Sequence, residues 1–137
     1  MSYILIVDDE QIVARTMQRL LERKKAELRI EDIFTANDGS AGLKTFQKNP
    51  AECMLVISDY DMPIMDGEQL AGALRHKEHY QGPIAIISGG HTPERRERLA
   101  GLDVACLDKP FDSDKLREYA QLAVNEYRSR LISGQVS

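Results

Sequence analysis

Cys53-Met54-Leu55-Val56-Ile57 is an unbroken apolar run, and Ser58-Asp59 follows it at once. A run this short, rich in β-branched residues, reads as a strand buried on both faces, as in a parallel sheet. Three others share its character: Tyr3–Val7, Pro83–Ile87 and Val104–Leu107. A fifth, Ile30–Thr35, is interrupted by Glu31 and Asp32 and reads as an edge strand.

Helical spacing fills the intervals. Val13, Met17, Leu20 and Leu21 fall at i, i+4, i+7 and i+8, and Leu116, Tyr119, Ala120, Ala123, Val124 and Tyr127 make the longest stripe. Leu43 with Phe46, Leu70 with Leu74, and the charged segment Glu94–Leu99 mark three shorter helices. Thr92-Pro93, Asp112, and Asp66 with Gln69 three residues on are start signals. Asn49-Pro50 and Gly82-Pro83 are stops. The order is strand–helix five times over. That predicts a parallel five-stranded sheet with right-handed crossovers and helices on both faces.

At 137 residues the chain holds one domain. Residues 1–128 are read as that domain and 129–137 as a polar, fraying tail or the start of a linker. No apolar run approaches the ~20 residues of a membrane span, and the N-terminus lacks a basic n-region. Eighteen basic against 22 acidic residues give a net charge of −4, which disfavours direct nucleic-acid binding. Cys53 and Cys106 have neither disulfide-framework numbers nor metal spacing and read as small hydrophobes in a reducing cytoplasm.

The residues after each strand carry the chemistry. They are Asp8-Asp9, Ser58-Asp59, Ser88-Gly89-Gly90 and Asp108-Lys109-Pro110. In an open parallel sheet these strand ends share one edge, where ligands bind. Two carboxylates ~4 Å apart repel by about 4 kcal/mol at an effective dielectric of 20, so Asp8, Asp9 and Asp59 invite a hard divalent cation, Mg²⁺ or Mn²⁺. A cation, the Lys109 ammonium and the Ser88 hydroxyl aimed at one point suit a phosphoryl group, and a carboxylate can be its nucleophile.

These stretches, Ile4-Leu5-Ile6-Val7-Asp8-Asp9-Glu10, Leu55 to Gly67, Ile86-Ile87-Ser88-Gly89 and Lys109-Pro110-Phe111, resemble the response-regulator receiver domain of bacterial two-component signalling over about residues 3–128. The resemblance implies a flavodoxin-like (βα)5 three-layer sandwich with strand order 2-1-3-4-5. It implies Asp59 as phosphoacceptor, Asp8, Asp9 and Asp59 as metal ligands with the backbone carbonyl of Asp61, and Lys109 and Ser88 at the phosphoryl group. A cis bond is expected before Pro110. The protein would catalyse only its own phosphorylation and dephosphorylation, and switch conformation to control an output. Its donor would be a sensor histidine kinase or phosphotransfer protein. Its target is an unknown output domain or protein, and a phosphorylation-dependent dimer is compatible with the resemblance.

Two positions depart from the family pattern. Cys106 stands where an aromatic switch residue is expected, and Asp61 where Met or Asn is common. Cys106 is too small to swing as a lever. The switch is therefore expected to run through Ser88, Gly89 and Gly90 into the helix carrying Arg95, Arg96 and Arg98. Arg15, Arg19 and Arg23 read as a solvated basic face, and His76, His79 and His91 as surface residues. Competing functions are a haloacid-dehalogenase-like phosphohydrolase, suggested by Asp59-Tyr60-Asp61, and a docking receiver that is never phosphorylated. The first lacks the motif's usual place on the first strand; the complete set Asp8, Asp9, Asp59, Ser88 and Lys109 speaks against the second.

Overall fold

A computed structural model of the chain describes residues 1–134. Five strands form one parallel sheet in the order β2-β1-β3-β4-β5: β1 (Tyr3–Val7), β2 (Asp32–Ala36), β3 (Cys53–Asp59), β4 (Ile84–Ser88) and β5 (Ala105–Asp108). Six α-helices connect and flank them: α1 (Gln11–Glu22), α2 (Lys25–Leu28), α3 (Gly39–Lys48), α4 (Gly67–His76), α5 (Pro93–Gly101) and α6 (Ser113–Ser133). Helix α1 packs against α6, and α3 against α4. This is the flavodoxin-like arrangement expected from the sequence.

The three central strands are the core. Every residue of β1, β3 and β4 is buried, which is why their sequences show no polar alternation. Met17 and Leu21 of α1, Phe46 of α3, Leu70 and Leu74 of α4, and Leu116, Ala120 and Val124 of α6 close over them. The start signals act as read: Asp66 and Gln69 form a reciprocal capping box, and Thr92 and Asp112 accept from Arg95 N and Lys115 N.

Three differences from the sequence reading have local causes. The edge strand begins at Asp32 rather than Ile30, because α2 ends on Arg29 at φ 54°, Ile30 N still turns back to Lys25 O, and Glu31 N and Asp32 N both donate to Ser2 O. The one-turn helix α2 itself lacks enough residues to show a period. Residues 129–133, read as tail, continue α6. Tyr127 anchors that end, 7% exposed with its ring 6.1 Å from Tyr80. Arg128 donates to the carbonyls of Leu28 and Arg29, and Gly134 ends the helix at φ 77°. Residues 135–137 of the expected tail lie outside the described residues.

Candidate functional site

Strand register brings the site together. Val7 pairs with Ser58 and Asp59 with Ile87, so the residues that leave β1, β3 and β4 emerge side by side at one sheet edge. Ser88 pairs with Asp108, and Lys109 N donates to Ser88 O at 2.9 Å, which sets Lys109 beside the same opening. The Lys109-Pro110 bond is cis, as expected.

Asp8 is 2% exposed, and its Oδ1 accepts from Glu10 N at 2.9 Å. Asp59 is 4% exposed, with Lys109 Nζ 2.8 Å from its Oδ1. Asp9 is exposed. One carboxylate oxygen from each of the three lies within 4.8 Å of the others. Burial pushes the Asp8 carboxyl up to about 6; the Glu10 amide opposes this and the Asp59 charge adds to it. Burial also raises Asp59 against the pull of Lys109, and the carboxylates of Asp9 and Asp61 push the same way. Burial acts to lower Lys109, but its carboxylate neighbours, Asp59 foremost, hold it above the usual ammonium value.

The donor set fits a hard divalent cation. The oxygens are all carboxylate, they converge, and two of the three side chains, Asp8 and Asp59, are buried. Asp61 is exposed beyond the end of β3. Gly67, the first residue of α4, is required here: a Cβ on it would stand 2.5 Å from Asp59 O and 3.0 Å from Tyr60 Cα. Only glycine lets α4 start this close to Asp59. Met62 reaches Ser58 Oγ at 3.9 Å, while Ile64 points to solvent at 82% exposed.

Ser88 is buried, at 2% exposed. Its Oγ accepts from Gly90 N at 3.1 Å and from Arg95 Nη1 at 3.1 Å. The Arg95 guanidinium lies 3.6 Å from the centre of the Tyr60 ring. Tyr60 in turn donates its hydroxyl to Glu68 Oε1 at 2.8 Å, and Arg98 grips Glu68 at 2.9 Å. Sequence reading placed the arginines of this helix near the switch but did not join Arg95 to Ser88 or to Tyr60. The Thr92 cap fixes Arg95 in the first turn, where side chains lean back toward the helix start, but nothing local to the helix names Ser88 or Tyr60 as its partners.

Three sequence readings are settled by burial. His91 is not a free surface residue: it is half-buried, Nε2 sits 3.2 Å from Ile86 O, and its ring meets Tyr60 edge-on at 6.5 Å. His76 and His79 are exposed, as are Arg15, Arg19 and Arg23. Cys53 is fully buried, and Cys106 is half-buried in β5; both are free.

Comparison with known proteins agrees with this geometry. The family model for the response regulator receiver domain matches residues 4–121. Response regulator ArlR of Staphylococcus epidermidis is 35% identical over 119 residues, covering 85% of this chain and 49% of that protein. Transcriptional regulatory protein PcoR of Escherichia coli is 31% identical over 133 residues, covering 95% of this chain and 54% of its own. The chain thus spans about half the length of these curated relatives. Among solved structures, chemotaxis protein CheY4 of Vibrio cholerae superposes with a TM-score of 0.77 at 27% identity, covering 90% of this chain and 98% of that one. A response regulator receiver domain protein from Clostridium thermocellum gives 0.75 at 26% identity, over 96% and 99%. With its sheet order, its acidic strand ends and its paired lysine, the chain belongs to the response regulator receiver domain family of two-component systems.

Proposed function

We propose that this receiver domain accepts a phosphoryl group on Asp59 from the phosphohistidine of a kinase or phosphotransfer protein and passes the change to an output. The observation that carries the reading is Asp59 itself, a buried carboxylate facing Lys109 at 2.8 Å and sharing its opening with Asp8 and Asp9. An Asp59 carboxylate oxygen forms the bond to phosphorus as the donor's N–P bond breaks. The imidazole leaves with the electron pair and takes a proton from water. Lys109 offsets the charge carried by the transferred group.

Asp8, Asp9 and Asp59, with the carbonyl of Asp61, would hold Mg²⁺ or Mn²⁺. When bound, such an ion neutralises charge on the phosphoryl oxygens. The chemistry ends at a single acyl phosphate and its later hydrolysis, so the domain acts as a switch rather than a turnover enzyme. The family match gives no support to the haloacid-dehalogenase-like alternative. Two free cysteines, one buried at 0% exposure, suit a reducing cytoplasm.

The test is incubation with phosphoramidate and Mg²⁺ followed by intact-protein mass spectrometry. One phosphoryl group should be added, and Asp59→Asn or EDTA should abolish it. Labelling that survives either change overturns the assignment.

A further inference from the structure

The Ser88 hydroxyl is fully used as an acceptor. A hydroxyl offers two acceptor sites and one proton. Gly90 N and Arg95 Nη1 take both sites, each at 3.1 Å. Among the described residues it has no hydrogen bond to Asp59 or Lys109.

The direction of that hold matters. Ile87 and Ser88 are consecutive in β4, so their side chains leave on opposite faces, with Ile87 on the face of its partner Asp59. Asp59 pairs with Ile87, and Tyr60 N donates to Ile87 O at 2.9 Å, which sets Ser88 level with Tyr60. Arg95 stacks on Tyr60 at 3.6 Å and binds Ser88 from that side. The hydroxyl is therefore held on the Tyr60 face. To donate to a phosphoryl group on Asp59, it must leave Arg95.

Helix α5 depends on such contacts. Leu99 is its one buried side chain. Its other holds on the body are polar: Arg95 to Ser88 and Gly90 O, Arg96 to Asp108 at 2.6 Å, and Arg98 to Glu68 at 2.9 Å. Arg95 Nε is already buried without a partner, so losing Ser88 leaves this guanidinium poorly satisfied. The intervening Gly89 and Gly90 are uncrowded, the nearest neighbour to an added Cβ being Lys109 Cβ at 3.8 Å. At Cys106 there is no ring to carry the change instead.

We propose that Arg95 is a latch: braced on Tyr60, it holds the Ser88 hydroxyl away from Asp59, and its release couples a phosphoryl group on Asp59 to loosening of α5. The latch rests on the phosphoacceptor reading above and adds a residue and a direction to it. Arg95 touches no reacting atom and acts through Ser88.

Binding of beryllofluoride with Mg²⁺ to the full chain, measured by calorimetry, tests it. Arg95→Met keeps an apolar stem over Tyr60 but cannot donate; Arg95→Lys keeps the charge without the stacked fork. Both should bind beryllofluoride about 3- to 10-fold more tightly than wild type, the loss of one competing hydrogen bond. In a Ser88→Ala background neither substitution should change affinity, which a merely structural role would not produce. Hydrogen exchange over 93–99 should quicken on beryllofluoride binding in wild type and be fast beforehand in Arg95→Met. Equal or weaker binding by both variants, or the same gain without the Ser88 hydroxyl, overturns the latch while leaving the phosphoacceptor intact. A wild type that does not bind beryllofluoride overturns both. Should Arg95→Met fail to fold, the Arg95→Lys comparison decides alone.

Discussion

Lys109 Nζ lies 2.8 Å from Asp59 Oδ1, yet Asp59 remains harder to ionise than a free aspartate. One ammonium faces three carboxylates, and burial opposes the charge on Asp59 more strongly than the ion pair supports it. Asp59→Asn should therefore stabilise the metal-free protein by about 1–3 kcal/mol. Lys109 is 33% exposed and regains water when its partner is neutralised. Mg²⁺ should raise the stability of wild type by linkage, about 2.7 kcal/mol at a hundred times its Kd, and raise that of the variant less. Urea midpoints with EDTA or Mg²⁺ measure both effects. A lower midpoint for Asp59→Asn in EDTA would contradict the first.

Asp8 gives the cluster a pH dependence. Its folded-state value of about 6 lies above the usual 3.8. A carboxyl raised on folding stabilises the protonated native state. That contribution is complete below about pH 4 and is lost as pH rises through 6. In EDTA, Asp8→Asn should match wild type near pH 4 and exceed it by about 1–3 kcal/mol near pH 7.5. The Asn Oδ1 can still accept from Glu10 N, so the loop is kept. Urea melts at the two pH values check this, and a gap that does not widen with pH would refute it.

Gly67→Ala should destabilise the protein although alanine favours helix by about 1 kcal/mol. The new Cβ would meet the Asp59 carbonyl oxygen at 2.5 Å, and backbone cannot turn aside as a long side chain can. Helix α4 must retreat or Asp59 must move. A net loss of about 1–3 kcal/mol is expected, with slower labelling by phosphoramidate. Chemical denaturation and timed mass spectra read the two separately.

What the sequence made legible follows from range. Central strands buried on both faces announce themselves as unbroken apolar runs, and strand ends of a parallel sheet must share an edge, so Asp8, Asp9, Asp59, Ser88 and Lys109 could be assembled before any coordinates. Caps such as Asp66 with Gln69 are local and equally plain. The contact of Arg95 with Ser88 and Tyr60 was not legible, because it joins three elements and depends on how α5 lies over β3 and β4. The helical state of 129–133 was missed for the same reason. Its supports, Tyr80 against Tyr127 and Arg128 on the Leu28 and Arg29 carbonyls, come from distant parts of the chain.

Arg75 is the clearest structural residue that polarity alone would place at the surface. It sits near the end of α4, yet its guanidinium donates to four backbone carbonyls: Leu102 O at 2.8 Å, Tyr80 O at 2.8 Å, Gly82 O at 2.7 Å and Asp103 O at 2.9 Å. These belong to the loop entering β4 and the turn entering β5, both at the sheet edge opposite Asp59. Tyr80 packs below, its ring 5.8 Å from the guanidinium and its hydroxyl on Cys53 O at 3.1 Å. Arg75→Met keeps the stem but leaves these carbonyls without their donor. The expected loss is about 2–4 kcal/mol, since charged donors are worth more than neutral ones and orphaned acceptors add their own cost. Lysine is too short and too compact to reach all four, so Arg75→Lys should recover only part. Folded Arg75→Met should still label once at Asp59 with unchanged Mg²⁺ dependence, because its contacts lie at the other end of the strands. Urea denaturation and intact-mass labelling run in parallel decide it. Stability within 0.5 kcal/mol of wild type, about what an ordinary surface change produces, would show that water replaces the guanidinium at no cost.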